Sequence, residues 1–388
     1  MNADELMQIV QNGESSVVEF KTEEVHPNSL AEEIVAFANF EGGTVFIGVD
    51  DSGLITGCQR RDMEEFVINV CRNNVRPSLI PIIEKIAVDK KNVMAVRIPR
   101  GDTAYATSRG LYFIRIGSTK QTPTQIELLR LFQKRNILQY DESPVLKASA
   151  NSIDIHKVNT YLKKMGQSSL NDEDEKALIH EFVNLSILTE MNEQYYPSLG
   201  GLLAFGKNPQ KYFPSFTIMC GAYKGIDFLS ETIREKELTG TLDELIEESL
   251  AFAKMTMEQK HVMDRGIQGR VEYAFSPEAL REAIVNALCH RDYTITGSSV
   301  RFFVFQDRVE IRSPGGLPNT ITLRNMCYRQ FSRNQMIASF LSGYGYMERR
   351  GKGIQRMIRL SEQAGAECRI SLSPDENEVL VVFQKPLE

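Results

Sequence analysis

The stretch Glu14-Ser-Ser-Val-Val-Glu19-Phe-Lys21 leads through a short helical pattern into Phe37-Ala-Asn-Phe-Glu-Gly42-Gly43-Thr-Val-Phe-Ile-Gly-Val-Asp50-Asp51. Its reading decides the fold of the first third of the chain. Val17–Lys21 alternates apolar and polar residues, the period of a strand. Ser29-Leu-Ala-Glu32 is a capping box, in which the Ser hydroxyl and the Glu carboxylate serve the free amides of a first helical turn. Leu30, Ile34, Phe37 and Ala38 recur at helical spacing and give that helix one buried face. Gly42-Gly43 stops it, and Thr44–Val49 is an almost wholly apolar strand. Asp50-Asp51-Ser52-Gly53 has turn chemistry, so the chain returns as a hairpin through Leu54–Gly57. The carboxylates of Glu14, Glu19 and Asp51 thereby fall at the ends of adjoining elements of one sheet. Carboxylates that converge repel one another, and a divalent cation or a basic surface has to compensate them.

Working outward, Met63–Asn73 reads as a helix, and Ile82–Val88, Val93–Ile98 and Gly110–Ile116 as strands. The last runs into Leu111-Tyr-Phe-Ile-Arg115-Ile-Gly117-Ser118. With the opening stretch, this element resembles the AlbA-like domain of Schlafen proteins and of a family of prokaryotic transcriptional regulators. The shared motifs are ESxxxEFK, AFANxxGGxxxIGVDD and YYxRxGS. In Schlafen nucleases the matching Glu, Glu and Asp bind a divalent ion that promotes RNA cleavage. The resemblance therefore implies Mn²⁺ or Mg²⁺ on Glu14, Glu19 and Asp51, with Asp50 as the alternative last member. Many prokaryotic relatives are instead described as DNA-binding, and a regulator could retain the acids for structure alone. Lys21 reads either as a phosphate partner or as the counter-ion of the acids. The basic side chains expected along a nucleic-acid groove are Lys21, Arg72, Arg76, Arg115 and Lys120. Schlafen proteins pair two AlbA-like units around one groove, so a chain with one unit implies a homodimer or a higher even-numbered assembly.

Beyond this domain, assigned to residues 1–136, a linker and acidic helical connector is expected over 137–199. Residues 153–200 have room for a small winged-helix-like unit; none is expected after Glu388. Gly201-Leu-Leu-Ala-Phe-Gly206-Lys207 spells the start of a P-loop, but Asn208 replaces the hydroxyl that would meet magnesium. Four consecutive apolar residues also belong in a core rather than in a phosphate cradle.

Residues 200–388 alternate helices and strands, with helices at Leu242–Met257, Ser276–Cys289, Arg333–Ser342 and Gly353–Ala364. Strands are expected at Ile218–Tyr223, Val300–Phe305, Arg308–Arg312 and Val379–Gln384. In Leu280-Arg-Glu282-Ala-Ile-Val-Asn286-Ala-Leu-Cys-His290-Arg-Asp-Tyr293, Glu282, Asn286 and His290 lie four residues apart and share one side of a helix. An Asn among apolar helical neighbours needs a polar partner, and a structural hydrogen bond is its plainest explanation. His290 with Arg291-Asp292 also fits a charged cap on the helix end. Downstream come Ser313-Pro-Gly315-Gly316 and Gly351-Lys352-Gly353 before a further helix.

This set resembles a divergent branch of the GHKL-type ATPases, the fold of gyrase B and the histidine kinases. The resemblance implies an ATP site in which Asn286 coordinates the Mg²⁺ of the triphosphate and Glu282 polarises the attacking water. His290, Ser313, Gly315, Gly316, Gly351, Lys352 and Gly353 would complete the nucleotide contacts. Ser313 stands where those enzymes carry an adenine-binding Asp, which weakens the case for adenine more than that for phosphate.

Composition agrees with a globular protein: 388 residues, 42% hydrophobic and 25% charged. The net charge of −6 rules out nucleic-acid binding by bulk charge, so any such surface must be local. The six cysteines form no CxxC pair, which favours free thiols in a reducing cytoplasm, and no apolar run suggests a membrane span. The expected fold class is α+β: an AlbA/Schlafen-like α/β domain, a helical middle segment and a GHKL-like α/β sandwich. The expected function is a cytoplasmic nucleic-acid-binding regulator whose ATP-binding domain acts as switch or dimer clamp. A metal-dependent endoribonuclease using Glu14, Glu19 and Asp51 is the alternative.

Overall fold

The computed structural model describes residues 1–134, 139–171, 174–257, 259–263, 269–317, 321–329, 331–347 and 352–385. The chain divides into two compact units, Met1–Leu138 and Gln139–Glu388.

The first unit runs α1 (Ala3–Asn12), β1 (Val18–Lys21), α2 (Pro27–Asn39), β2 (Gly43–Ile47), α3 (Met63–Asn73) and β3 (Val75–Arg76). It continues with β4 (Ile82–Val88), β5 (Lys91–Ile98), β6 (Ala106–Thr107), β7 (Ile114–Ile116), β8 (Thr119–Gln121) and α4 (Gln125–Lys134). Its central sheet has the order β1-β2-β5-β4, with β1 parallel to β2 and the other pairs antiparallel. Alternation along β2 sends side chains to opposite faces. Val45 and Ile47 join Leu30, Ile34 and Phe37 of α2 and Val67 of α3 in one core, while Phe46 joins Leu6 and Phe20 in a second. The sheet is thus covered on both sides.

The second unit opens with α5 (Ile155–Lys164), α6 (Glu175–Asn184), β9 (Leu188–Met191), β10 (Gln194–Pro197) and α7 (Leu199–Phe205). Then follow β11 (Ile218–Tyr223), β12 (Thr232–Leu238), α8 (Leu242–Thr256), β13 (Gln259–Met263), β14 (Gly269–Tyr273) and α9 (Pro277–His290). The chain closes with β15 (Val300–Val304), β16 (Arg308–Pro314), α10 (Gln335–Gly343), α11 (Gly353–Gln363), β17 (Glu367–Leu372) and β18 (Glu378–Gln384). The main sheet has the order β12-β11-β15-β16-β18-β17, antiparallel apart from β11 with β15. Ile218, Phe302, Ile311 and Phe383 of its strands share one core with Ile246 and Phe252 of α8, Leu280 and Ile284 of α9 and Met357 of α11. This helix-on-sheet sandwich is the expected architecture.

Two expectations change. Residues 139–199 are not a free connector, because Val158, Tyr161, Phe182 and Leu199 are buried in the same core as the sandwich. Within the expected helical segment Ile153–Met191, the chain turns into the β9–β10 hairpin. Asn192 and Glu193 take φ of 52° and 61°, as a two-residue hairpin turn requires, without the Asn-Gly pair that would announce it. The P-loop lookalike is settled by α7, which runs through the apolar Leu-Leu-Ala-Phe residues and buries them all. Among the described residues no helix is long and apolar enough to cross a membrane.

Candidate functional site

In the first unit, the acidic motif is bound up with the protein's own cations. Glu19 on β1 is buried; Lys21 Nζ donates to its Oε1 at 2.5 Å and Arg115 Nη1 to its Oε2 at 2.8 Å. The same Arg115 nitrogen donates to Glu33 Oε2 at 3.0 Å, and Nη2 donates to the Ser15 and Ser118 carbonyls at 2.8 Å each. The guanidinium carbon sits 4.5 Å from the centroid of the Phe37 ring. Lys120 completes the group, with Nζ 2.9 Å from Glu32 and 3.0 Å from Glu33. Burial by itself would raise the Glu19 carboxyl, but the hydrogen bonds and charges of Lys21 and Arg115 outweigh it and hold the group below the usual range. Glu33 goes the other way: burial and the neighbouring Glu19 charge raise it, with Lys120 opposing.

The motif residues Glu14, Glu19 and Asp51 therefore have separate occupations. Glu14 Oε1 accepts the Phe20 N–H at 2.9 Å. Asp50 is the turn former, its Oδ1 accepting the Ser52 hydroxyl at 2.6 Å and the Leu54 N–H at 2.9 Å, so Asp51 is left as the exposed member. Asp51 lines an open groove of about 660 Å³ together with Lys21, His26, Ser29 and Asp50; neither Glu14 nor Glu19 does. Among the described residues no group of three or more His, Cys, Asp or Glu side chains is placed to hold a metal ion. The carboxylates do not converge on a cation because Arg115 and Lys21 already supply the positive charge.

This also corrects the expected groove of basic residues. The Arg115 side chain is fully buried, and both its Nη atoms are used inside the unit, so it cannot meet a phosphate. Lys21 and Lys120 are half-buried on carboxylates. Arg72 and Arg76, at the end of α3 and on β3, are exposed, with Arg76 Nη1 donating to the Arg72 and Val75 carbonyls.

In the second unit, α9 is entered through Ser276, whose Oγ accepts the Ala279 N–H at 3.2 Å, with Pro277 in the first turn. Its apolar face is buried in the core, which leaves Glu282 buried and Asn286 half-buried beside it. The Asn286 amide forms no hydrogen bond with any described residue, so the structural bond expected of it is not made. The first residue of α11, Gly353, packs directly on Glu282: a Cβ at 353 would fall 2.2 Å from Oε1. Lys352 precedes it, exposed; Gly351 lies outside the described residues.

At the end of β16, Ser313 Oγ donates to the Ala287 carbonyl of α9 at 2.8 Å, leaving only its lone pairs for a ligand. Gly315 takes φ of +105°, and a side chain there would overlap Arg333 and Asp292. His290 keeps its Nδ1 buried without a partner, and burial, with the Arg333 charge beside it, pushes its pKa down to about 4. A neutral His290 is therefore part of the native state rather than a cation at the helix end.

Sequence reasoning missed what braces this region. Arg333 is buried and donates to the His290 carbonyl at 3.0 Å and to the Gly316 carbonyl at 2.7 Å. Asn334 Nδ2 donates to the Cys289 and Arg291 carbonyls at 2.8 and 2.9 Å, tying the start of α10 to the end of α9. Asp141 Oδ2 accepts the Ile337 N–H of α10 at 3.0 Å, and burial pushes its carboxyl up to about 6 against the pull of the α10 amides. The one sequence signal for these was the pair Arg333-Asn334 at a helix start; Asp141 gave none, since its partner lies almost two hundred positions away.

Comparison with known proteins agrees with this division. Residues 14–124 match the family model "Schlafen, AlbA_2", and residues 297–383 match "Putative ATP-dependent DNA helicase recG C-terminal", an HATPase-type model. No curated protein matches the chain. Among solved structures, the DIP2311 protein from Corynebacterium diphtheriae is 17% identical, with a TM-score of 0.48; the match covers 96% of this chain and 76% of that one. The N-terminal domain of a putative ATP-dependent DNA helicase RecG-related protein from Nitrosomonas europaea is 24% identical with a TM-score of 0.26; that match covers 32% of this chain and 94% of the other. The chain thus joins an N-terminal AlbA-like domain to a C-terminal HATPase-like domain.

Proposed function

We propose that the protein is a nucleic-acid-binding regulator in which the first unit engages DNA or RNA and the second binds Mg²⁺-ATP as a switch or dimer clamp. The observation that carries the nucleotide half is Asn286. It is half-buried and without a hydrogen bond to any described residue, one turn after Glu282, which meets the glycine start of α11. Such an amide still reaches solvent and is open to a ligand. Asn286 would hold the metal of the triphosphate, which supplies charge neutralisation at the phosphates. The free backbone amides at the start of α11 suit phosphate oxygens, and Gly353 allows their close approach. Glu282 would orient and deprotonate a water, and Ser313 would accept one hydrogen bond from a base.

The test is a melting experiment on the full chain. Mg²⁺-ATP or a non-hydrolysable analogue should raise Tm, by mass action on the native state, and Asn286→Ala should abolish the rise. Melting curves that ignore ATP, GTP and their analogues would overturn the nucleotide half. For the nucleic-acid half, the family match over residues 14–124 and the exposed Arg72 and Arg76 support a local basic surface on an acidic chain. Binding there should weaken steeply with salt; salt-independent binding, or none, would remove that half. The nuclease alternative has less support, since both oxygens of Glu19 are held by Lys21 and Arg115.

A further inference from the structure

The first backbone bond of α11 runs from the Arg356 N–H to the Lys352 carbonyl. The N–H groups of Gly353, Ile354 and Gln355 come before it and have no acceptor within the helix. Nor does the helix bring a cap of its own. Lys352 stands in the cap position, makes no side-chain cap bond there and has no acceptor to offer. A helix start of this kind carries partial positive charge and favours an anion beside it.

Glu282 supplies that anion. Its side chain is 8% exposed, on α9, which packs against α11. A Cβ built on Gly353 would fall 2.2 Å from Glu282 Oε1 and 3.2 Å from its Cδ. Oε1 therefore lies within about 3.7 Å of the Gly353 Cα, one carbon–carbon bond further on. Cα–Cβ bonds tilt toward the N-terminus of a helix, so this oxygen sits toward the amide end of α11. A carboxylate buried to this extent has to be compensated, and a helix start contributes to that. The contact exists because residue 353 has no side chain.

A phosphate oxygen seeks the same amides and the same space beside Gly353. Two anions at one helix start repel each other, so a phosphate binds there only by displacing the carboxylate. We infer that Glu282 is a built-in competitor for the phosphate site, an autoinhibitory contact that a nucleoside triphosphate has to displace from the start of α11. The inference rests on the nucleotide reading and adds the regulation of that site. The carboxylate holds affinity down, and the arrival of phosphate releases Glu282 for the water-orienting role given to it above.

Two measurements test it on the full chain. Calorimetry compares wild type with Glu282→Gln, using a non-hydrolysable Mg²⁺-ATP analogue. The variant keeps the shape of the side chain without its charge and should bind about tenfold tighter. The second measurement uses crystals of wild type grown with and without the analogue, and it remains decisive if the variant does not fold. Glu282 Oε1 should lie against Gly353 without the analogue and be drawn away from it in the complex. Binding by the variant alone also supports the inference. A wild type that binds while the variant binds no tighter, or a complex in which Oε1 still touches Gly353, overturns the inference and leaves the nucleotide reading standing. No binding by either protein overturns the nucleotide reading, and this inference with it.

Discussion

Replacing Arg115 by Met should destabilise the first unit by about 3–5 kcal/mol at neutral pH, the range for removing one partner from a buried ion group. Met retains most of the stem's volume over Phe37, so the loss is one of charge and hydrogen bonds rather than of packing. Four bonds go, to Glu19, Glu33 and the carbonyls of Ser15 and Ser118. Because Nη1 bonds both carboxylates, at 2.8 and 3.0 Å, their oxygens lie within about 6 Å of each other. Two such charges repel by roughly 3 kcal/mol at an effective dielectric near 20. Lys21 and Lys120 remain, half-buried, and offset part of this.

The pH dependence has a definite sign. In the wild type the depressed Glu19 carboxyl contributes stability above the ordinary carboxylate range and loses it as pH falls through its own lower value. In the variant both carboxyls are raised, so protonation relieves the repulsion and the gap to wild type should narrow as pH falls toward about 4.5. Glu33→Gln in the Arg115→Met background should recover part of the loss at pH 7. Hydrogen exchange read on peptides from β1, β2 and β5 reports this unit apart from the second, and the chain contains no Trp to follow by fluorescence. A loss under about 1 kcal/mol at pH 7, or one that does not change with pH, would refute the assignment of this cluster as a buried charge brace.

The second unit should show opposed titrations. Asp141, held up at about 6, favours folding as pH falls from about 6 to 4, while His290, held down at about 4, disfavours it from about 6.5 to 4. Asp141→Asn should therefore lose about 3 kcal/mol more than wild type on acidification from pH 7 to 4, measured by denaturant midpoints; parallel profiles would count against it. Gly353→Ala should abolish any Mg²⁺-ATP melting shift, because a methyl there meets Glu282 Oε1; an undiminished shift would detach α11 from the site. Arg72→Ala with Arg76→Ala should weaken nucleic-acid binding and lower its salt slope by up to about 2, while unchanged slopes would place the contact elsewhere. Light scattering should give a homodimer or a higher even-numbered assembly with nucleic acid; a monomer in its presence would refute the paired-groove arrangement.

Much of the fold was legible locally. The glycine pair after α2 and the period of Met63–Asn73 are short-range signals, and helix and strand formed within a residue or two of them. The capping box expected at Ser29 did not form: α2 starts earlier, at Pro27, with His26 Nδ1 accepting the Asn28 N–H as its cap, so Ser29 lies inside the first turn. The polar stripe of Glu282, Asn286 and His290 was equally a matter of helical spacing. The β9–β10 hairpin escaped because its turn residues, Asn192 and Glu193, adopt positive φ without an announcing glycine.

What the residues do with one another was decided only by the tertiary structure. Motifs show that Glu14, Glu19 and Asp51 occur near one another in the chain, but not that Arg115, about a hundred positions on, takes Glu19, nor that Glu14 serves a backbone amide. Arg115 likewise reads as a phosphate-binding cation until burial between two carboxylates removes it from solvent. The physical reason is range. Helix, strand and turn signals act over a few residues and are written in order along the chain. The partner of a buried charge is whichever group the packed core leaves within about 3 Å, and that distance exists only once the chain has folded.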